Sequence, residues 1–325
     1  MAEPAVQVRG LTKTFGEIQA VRGIDLDVAT GEMFGFLGPN GAGKTTTIKI
    51  LCTLAEASAG SASVAGYDVA RHTSAVRSRI GLVFQEPTLD TYLTAEQNLR
   101  FHGEMYGVPR ERMRRRMDEV LEKVGLTDRR RDLVRKYSGG MRRRLEIARG
   151  LLHTPTVLFL DEPTIGLDPQ TRAAIWDYIR ALRATEEVTV FLTTHYMEEA
   201  EYCDRIAIID NGEIVAVDTP EALKAAIGAD RVQIATSDDA AAVAQLSERL
   251  EVEAAMHDGM VTFSVPGGAS FVPRLFQALS VEIDTVTVTR PSLDDVFMAY
   301  TGRTIRDAEQ GNAPHPLQLL AAGRR

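Results

Sequence analysis

The chain carries a glycine-rich loop, Gly-Pro-Asn-Gly-Ala-Gly-Lys-Thr, at residues 38–45. It fits the pattern GxxxxGK[ST], in which glycines let the backbone curl so that successive N–H groups point inward at phosphate oxygens. An apolar, strand-like segment at 32–37 precedes it, and residues 45–54 follow with a helical pattern. Strand, loop and helix therefore stand in the order that a nucleotide-phosphate cradle requires.

The charged and hydroxyl side chains of this loop have distinct expected roles. Lys44 is expected to reach the β- and γ-phosphates, and the Thr45 hydroxyl is expected to ligate Mg²⁺. The helix that follows adds the positive end of its dipole. A glycine-rich turn that binds nothing is the alternative, and the order of strand, loop and helix argues against it. The residues expected to contact the nucleotide here are Gly38, Pro39, Asn40, Gly41, Ala42, Gly43, Lys44, Thr45 and Thr46.

Two acids follow a second apolar segment, residues 157–160. Because ligands of open α/β sheets bind at the carboxyl ends of the strands, Asp161 and Glu162 are predicted to lie beside the loop. We expect Asp161 to hold Mg²⁺, directly or through water, and Glu162 to act as general base on an attacking water. The alternative is a strand that ends in a solvated acidic turn, and the presence of the glycine loop argues against it.

A second glycine-rich helix start, Tyr137-Ser138-Gly139-Gly140-Met141, lies between these two motifs. Ser138 is a favourable N-cap, and the glycines expose N–H groups at the helix end, which makes a second anion-binding site. One nucleotide needs only one such cradle. A simple helix cap is the other interpretation, and these residues alone leave it open.

The order of predicted elements indicates an α/β fold. Residues 6–28 alternate as antiparallel strands, and residues 90–155 have a helical pattern. Apolar strands then alternate with helices, which predicts a mostly parallel sheet covered on both faces. After residue 228 the order βαββαβ predicts a small ferredoxin-like α+β domain.

This pattern also predicts domain boundaries. We expect a nucleotide-binding domain over residues 1–226, with a helical subdomain inserted at about 88–155. An accessory domain is expected over 227–302 and a disordered tail over 303–325. Two local signals accompany these boundaries: Asn211-Gly212 predicts a hairpin turn, and Ser292 with Asp295 predicts a capping box.

Composition limits the function. The chain has 325 residues, with 37 Lys and Arg against 45 Asp and Glu, and its net charge of −8 argues against a general nucleic-acid binder. Residues 1–10 are too polar for a signal peptide, and no run of about 18 apolar residues predicts a membrane span. Cys52 and Cys203 lack metal-ligand spacing, so we expect two buried thiols.

Together these motifs resemble those of ABC transporter nucleotide-binding subunits, over about residues 5–225. The segment 137–141 is similar to the family signature LSGGQ, with Tyr137 in place of Leu and Met141 in place of Gln. Its phosphate-binding centre, Ser-Gly-Gly, is intact. The resemblance implies a P-loop core of the ABC type, with an antiparallel β subdomain and an inserted helical subdomain.

Four further residues gain expected roles from this resemblance. Gln85 matches the Q-loop glutamine, which senses Mg²⁺ and the attacking water, and Asp168 matches the D-loop aspartate. His195 matches the switch histidine that contacts the γ-phosphate. Phe15 stands where the family has an aromatic residue that stacks on adenine. For Phe15 the alternative is an ordinary core position, and for His195 it is a structural histidine.

The resemblance also implies that two copies of the chain work together. They pack head to tail, so that ATP in the cradle of one copy is covered by the signature of the other, and hydrolysis lets the copies separate. ATP and Mg²⁺ are the implied cofactors. The implied catalytic residues are Glu162, His195 and Gln85, the Mg²⁺ ligands are Thr45, Gln85 and Asp161, and the signature contacts are Ser138, Gly139 and Gly140, with Asp168 beside them.

Residues 290–302 and 87–107 are similar to drug- and antibiotic-export ATPases of the daunorubicin/doxorubicin-resistance type. Those proteins work with separately encoded ABC-2-type permeases, which implies export of a small hydrophobic compound from the cytoplasmic face of the cell membrane. In the family, the second segment receives the coupling helix of the permease. Within it we expect Phe101 in the core, and core or docking remains open for Tyr92, Leu93 and Tyr106.

Two basic clusters, at 129–131 and 142–144, are interpreted as a solvated helix face. Contacts with ATP phosphates or with anionic lipid headgroups are the alternatives.

The rival function is a non-transport ABC ATPase that acts on ribosomes or DNA. Such proteins usually carry two cassettes in one chain or a long coiled-coil insertion. This chain has one cassette and a short interval from Gln85 to Ser138. A small-molecule kinase, the third possibility, does not explain the signature or His195.

Overall fold

The computed structural model describes residues 3–186, 188–257, 259–305 and 308. Its contacts divide the chain into a larger unit, whose main part ends at Asp218, and a smaller unit that begins at Thr219.

The larger unit is an α/β structure with two sheets. In chain order its elements are β1 (Val6–Phe15), β2 (Ile18–Val28), β3 (Met33–Leu37), α1 (Lys44–Leu51), β4 (Ala59–Val64), β5 (Tyr67–Asp68), α2 (Thr73–Arg77), β6 (Ile80–Val83), α3 (Ala95–Met105), α4 (Arg110–Lys123), α5 (Gly139–Leu151), β7 (Val157–Asp161), α6 (Pro169–Glu186), β8 (Thr189–Thr194), α7 (Met197–Ala200), β9 (Arg205–Asp210) and β10 (Glu213–Asp218).

The central sheet has the strand order β10-β9-β3-β8-β7-β6. All neighbouring pairs are parallel except β9 with β10. β3, β7 and β8 are buried along their whole length, as expected for strands covered on both faces. The ring of Phe191 lies 5.5–5.7 Å from those of Phe34, Phe36 and Phe159, so aromatic packing joins three adjacent strands.

The predicted antiparallel subdomain forms the second sheet, in the order β2-β1-β4-β5. Its inward residues and those of the central sheet belong to one hydrophobic core, which includes Val6, Val8 and Leu11 of β1 beside Phe34 and Phe159. The shared core makes the two sheets a single packed body.

The predicted helical subdomain is present as α3, α4 and α5. Thr94 and Gln97 form a capping box at the start of α3. Arg116 of α4 donates hydrogen bonds to the carbonyl oxygens of Leu151 (3.0 Å) and Leu152 (3.5 Å) at the end of α5, where the last carbonyls have no i+4 amide partner within the helix. α4 is thereby attached to α5.

The predicted hairpin joins β9 to β10. Asn211 and Gly212 both have positive φ, 49° and 83°, which is the backbone that a two-residue turn of this kind requires.

The smaller unit contains α8 (Pro220–Ile227), β11 (Asp230–Thr236), α9 (Asp239–Leu250), β12 (Ala254–His257), β13 (Met260–Val265), α10 (Gly268–Ala278), β14 (Ile283–Thr289) and α11 (Leu293–Thr301). Its antiparallel sheet has the order β12-β13-β11-β14. The first and third strands are thus central, which confirms the ferredoxin-like prediction. Leu246 and Leu275 lie fully buried in its core with Val232 and Ile234.

Several details of the smaller unit differ from the predicted bounds. α8 packs against α11, so the unit begins at Thr219 rather than at residue 227. α10 begins at Gly268, ahead of the predicted Phe271, because Gly267 adopts a positive φ of 63° at its N-cap. Ser292 and Asp295 form the predicted capping box. Residue 258 of the predicted turn, and the predicted tail apart from 303–305 and 308, lie outside the described residues.

Candidate functional site

The candidate site residues of the larger unit meet at one edge of the central sheet. Because β3, β6, β7 and β8 are parallel, their carboxyl ends share that edge. Leu37 pairs with Thr194, and Asp161 pairs with Thr193. The glycine loop, the two acids and His195 therefore leave the sheet side by side.

The shape of the loop depends on glycine at two positions. A Cβ on Gly38 would lie 2.2 Å from the carbonyl oxygen of Ile209, and one on Gly43 would lie 2.5 Å from that of Ala20. Gly43 also has a φ of 104°, which L side chains rarely adopt. The amide of Gly38 donates to the carbonyl of Thr194 (3.1 Å), which ties the start of the loop to β8.

Lys44, the first residue of α1, is almost fully buried. Its Nζ donates to the carbonyl oxygens of Gly38 (2.6 Å) and Pro39 (3.0 Å). The same Nζ lies 3.2 Å from Oε1 of Glu162. The ammonium group thus bridges the glycine loop and the second acid.

Asp161 is held by two hydroxyl groups. Its Oδ1 accepts hydrogen bonds from Thr45 (3.2 Å) and from Thr193 (2.6 Å). A carboxylate and the Thr45 hydroxyl therefore lie together, and these are oxygen ligands of the kind that Mg²⁺ prefers. Sequence reasoning missed Thr193, because a hydroxyl inside a buried strand carries no signal until the strand pairing is known.

Glu162 is positioned by its backbone as well as its side chain. It has a positive φ of 47°, and its amide donates to Oγ1 of Thr193 (3.0 Å). Its Oε2 lies 3.4 Å from Nδ1 of His195. Neither of these two buried atoms has a hydrogen-bond partner in the described part of the chain, so both remain able to bind a ligand or a water.

The charge of Glu162 follows from these neighbours. Burial raises the pKa of its carboxyl group, and the contacts with His195 and Lys44 lower it by more. The net result is a pKa below its usual value. Glu162 is therefore ionised at neutral pH and pairs with Lys44.

The position of His195 depends on Tyr196 and on the hydrogen bonds of its neighbour Thr194. Its ring lies 4.0 Å from the ring of Tyr196, and the guanidinium of Arg172 lies 3.9 Å from the Tyr196 ring. The buried carboxylate of Glu199 accepts hydrogen bonds from the hydroxyls of Thr194 (2.6 Å) and Thr164. Glu199 thus joins the residue before His195 to the segment after the acids, and the sequence pattern did not single it out.

Gln85 and Phe15 lie at the periphery. Gln85 is exposed and follows β6, whose Val83 pairs with Leu160 of β7. The side chain of Phe15 is 53% exposed, which excludes the core alternative, and Nζ of Lys13 lies 4.9 Å from its ring centroid.

The second glycine-rich helix start is also formed as expected. Ser138 is the N-cap of α5, and its hydroxyl accepts from the amide of Met141 (3.2 Å). Ser138 and Gly139 are exposed. Tyr137, which replaces the Leu of the family pattern, is buried. Its hydroxyl donates to the carbonyl of Arg129 (2.8 Å). The exposed Ser138 and Gly139 can offer neutral hydrogen-bond donors to an anion.

Asp168 connects to this helix start through Thr171. Its carboxylate accepts from the amide (3.0 Å) and the hydroxyl (2.6 Å) of Thr171, and these hydrogen bonds lower the pKa of Asp168. A Cβ on Gly140 would lie 2.4 Å from Cγ2 of Thr171. The close approach of α5 to the start of α6 therefore requires glycine at 140.

The solvated-face interpretation of the basic clusters is wrong for two residues. Arg143 is buried and donates to backbone carbonyl oxygens, among them that of Pro163 (2.6 Å). Arg130 forms ion pairs with Asp118 (2.6 Å) and Glu96 (3.2 Å). A run of arginines reads as one solvated face only when all its members lie on the same side of the helix.

A cavity of about 480 Å³, here called the apolar groove, is lined by Leu54, Leu82, Phe101, His102, Met105 and Tyr106, among others. Phe101 is 61% exposed, so its predicted core position is wrong. It stands two residues after the buried Leu99 and hence on another face of α3. Tyr92 is 77% exposed, Tyr106 is partly exposed and Leu93 is half-buried.

None of the described helices has the length and apolar character needed to cross a bilayer.

Two family models match the chain, "ABC transporter" over residues 21–165 and "ATP-binding protein DrrA1-3-like, C-terminal domain" over residues 219–301. The chain is 43% identical over 322 residues to the daunorubicin resistance ATP-binding protein DrrA3 of Streptomyces coeruleorubidus, covering 95% of this chain and 100% of that protein. It is 39% identical over 319 residues to the linearmycin resistance ATP-binding protein LnrL of Bacillus subtilis, covering 93% and 100%.

Among solved structures, the dimer of the ATP-binding cassette MJ0796 in a post-hydrolysis state, bound to ADP and Pi, matches with a TM-score of 0.60 at 27% identity. The match covers 66% of this chain and 98% of that chain.

Proposed function

The chain belongs to the ABC transporter family, as an ATP-binding and ATP-hydrolysing subunit of an exporter, and we propose that it powers export of a drug, an antibiotic or another small hydrophobic compound through a separate ABC-2-type permease. The observation that carries the proposal is the meeting of Lys44, Asp161 and Glu162 at one sheet edge. The exported class rests on relatives named for resistance to daunorubicin and linearmycin.

The rival function on ribosomes or DNA has less support. The net charge is −8, and the relatives reported above are resistance proteins. A small-molecule kinase leaves the exposed Ser138 helix start without a role.

Lys44 and Glu162 change partners when ATP binds. In the structure, Nζ of Lys44 lies 3.2 Å from Oε1 of Glu162. The β- and γ-phosphates of ATP compete for the same ammonium group, since phosphate carries more charge than a carboxylate. Glu162 then loses a cation that lowers its pKa, and the pKa rises. A carboxylate of higher pKa is the better base toward the attacking water.

His195 and Gln85 complete the proposed catalytic set. Nδ1 of His195 is buried beside Glu162 without a hydrogen-bond partner among the described residues, so a phosphate oxygen or the attacking water can supply one. Gln85 offers an amide beyond the end of β6. The ring of Phe15 is exposed and available to stack on adenine.

Mg²⁺ fits the donor set at Asp161. The Thr45 hydroxyl and the Asp161 carboxylate, 3.2 Å apart, would hold it together with Gln85. When bound, the ion neutralises negative charge on the β- and γ-phosphates. Thr193 keeps the Asp161 carboxylate in place through its 2.6 Å hydrogen bond.

A second copy of the chain would complete the site. The neutral donors at Ser138 and Gly139 face solvent, where the γ-phosphate bound by a partner copy can meet them. Gly140 and Asp168 support this surface from behind through Thr171. The dimeric MJ0796 cassette bound to ADP and Pi supports such an assembly.

The apolar groove is the proposed contact for the permease. Phe101 and Met105 are 61% and 68% exposed there, with Tyr92 nearby in sequence at 77%. Exposed aromatic and apolar side chains of this kind mark interaction surfaces. A subunit docked in this way would work at the cytoplasmic face of the cell membrane.

Export is tested in a drug-sensitive bacterium that expresses the chain with its cognate permease. We expect wild type to lower the cellular accumulation of daunorubicin or linearmycin, and Glu162→Gln to leave it high. Glu198→Gln changes an exposed acid three residues after His195; it is the matched control and should behave as wild type. Equal accumulation with wild type and Glu162→Gln for both compounds, with the permease present, would contradict the proposed cargo.

A further inference from the structure

Arg143 is a buried cation at the junction of three segments. It lies in the first half of α5, close after the Ser138 cap, and only 6% of its surface is exposed. Its guanidinium donates to the carbonyl oxygens of Asp161 (3.2 Å), Glu162 (3.2 Å) and Pro163 (2.6 Å). The backbone of Asp161 and Glu162 is therefore hydrogen-bonded to α5.

The same guanidinium reaches the segment that carries Gln85. It donates to the carbonyl of Phe84 and pairs with Glu146 at 3.1 Å. Glu146, itself 2% exposed, accepts from the amide of Thr88 (2.7 Å). Residues 84 and 88, which flank Gln85 on either side, are thus held by one face of α5.

Glu162 depends on this support because its own backbone is unusual. Its positive φ of 47° costs conformational energy that surrounding contacts must outweigh. Arg143 donates to the carbonyls before, at and after this residue. A guanidinium offers five N–H donors in a rigid plane, whereas a lysine offers a single ammonium point, so only arginine can bind all these acceptors at once.

We propose that Arg143 is a positioning residue for ATP hydrolysis, which keeps Glu162 and Gln85 in register with each other and with the Ser138 helix start. Displacement of a catalytic group by about 1 Å can cost on the order of 100-fold in rate. The inference rests on the proposed roles of Glu162 and Gln85.

The competing explanation is that Arg143 only stabilises the fold. Arg116 provides the matched control, because it also donates to two backbone carbonyls, those of Leu151 and Leu152, and pairs with Glu119 at 2.6 Å. The two carbonyl oxygens that it binds lie at the end of α5, and neither belongs to residues 161–163. A purely structural arginine would behave alike at both positions.

The test compares Arg143→Lys with Arg116→Lys in the full-length chain. Four quantities are measured: the turnover number, the Kd of a fluorescent ATP analogue, the dimer fraction with ATP by light scattering, and the melting temperature. For Arg143→Lys we expect turnover to fall by about 100-fold, the Kd to stay within about 2-fold, and an ATP-bound dimer to accumulate. Arg116→Lys should lower the melting temperature and keep turnover within about 2-fold.

Two results would overturn the inference. One is that Arg143→Lys has the turnover number of wild type per folded molecule. The other is that Arg143→Lys loses ATP affinity to the same extent as it loses turnover. Should that variant fail to fold, Glu146→Gln decides, since it preserves shape but weakens the anchor of Arg143. We expect its turnover to fall by about 10-fold, and wild-type turnover would refute the proposal.

Wild type and Glu162→Gln are the reference arms. If wild type fails to hydrolyse ATP, or Glu162→Gln hydrolyses it normally, the proposed function fails. If only the Arg143 and Glu146 variants behave as wild type, the positioning role alone is lost.

Discussion

Two helices of this chain begin after glycine-rich segments, and their surroundings differ sharply. α1 begins at Lys44, a buried cation within hydrogen-bond or ion-pair distance of the loop carbonyls and Glu162. α5 begins after Ser138, whose hydroxyl and the adjoining Gly139 face solvent. The first turn of any helix presents backbone amide groups that can bind an anion. At the first, the ammonium group of Lys44 lies 3.2 Å from the Glu162 carboxylate, whereas the cap of the second is the neutral Ser138 hydroxyl.

The difference indicates that the two helix starts have different roles. The start of α1 combines phosphate binding, candidate metal ligands and a base within one chain. The start of α5 can bind an anion but has no catalytic group at its surface. A site of the second kind does chemistry only when another surface brings the charged ligand to it, which is the physical reason to expect two copies around each ATP.

The largest effect is expected at the base. Glu162→Gln should lower the rate of ATP hydrolysis by about 1,000-fold and leave an ATP-bound dimer in light scattering, because the attacking water loses its proton acceptor. Glu198→Gln is the control. A protein that stays monomeric with ATP would break the link between the two helix starts.

Lys44→Ala tests the first helix start alone. The affinity for a fluorescent ATP analogue should fall by about 300-fold, because a buried charge-assisted contact to phosphate is removed. Lys49→Ala changes an exposed lysine of the same helix and should bind normally. Unchanged affinity of Lys44→Ala would mean that the loop is not the phosphate cradle.

Ser138→Arg tests the second helix start. We expect hydrolysis to fall by about 100-fold while the Kd for ATP stays within about 2-fold, since the substitution blocks donors that act only on a partner's nucleotide. Ser74→Arg makes the same change at an exposed position of α2. Retained turnover in Ser138→Arg would count against the shared site.

The smallest effect concerns pH and the nucleotide-free protein. Because the pKa of Glu162 is lowered in the folded state, its stabilising contribution is present above the usual pKa of 4.5 and is lost as pH falls through the lower folded value. Wild type should exceed Glu162→Gln by about 1–3 kcal/mol in unfolding free energy at pH 7, and the gap should close in acid.

Ser138→Ala is the comparison at the other helix start. It removes a neutral cap worth about 1 kcal/mol, so its cost should not change over the same pH range. A pH-independent gap for Glu162→Gln would show that its pairing with Lys44 does not stabilise the fold.

Prediction from sequence succeeded where one short segment carries the whole signal. The loop at 38–45, the strand before Asp161 and the Ser138 cap are local patterns, and each is formed as expected. The roles assigned to Gln85, Asp168 and Phe15 remain predictions, because they depend on a bound nucleotide and a second copy.

Prediction failed where the burial or the contacts of a residue depend on distant parts of the chain. Phe101 was expected in the core and is exposed, and Arg143 was expected on a solvated face and is buried. Thr193 and Glu199 belong to no sequence motif, yet they bind Asp161 and the residue before His195. None of these positions has a local pattern that reveals its neighbours.

Adjacent residues are enough to specify a phosphate-binding loop, a strand ending in two acids and a capped second helix in this order, because backbone curvature, strand burial and capping are local properties. Which side chains meet depends instead on how the strands pair in the folded chain. Parallel pairing of β3, β7 and β8 brings Lys44, Thr193 and Glu162 together across long stretches of chain. Contacts of that kind follow from strand order and register, which no single segment encodes.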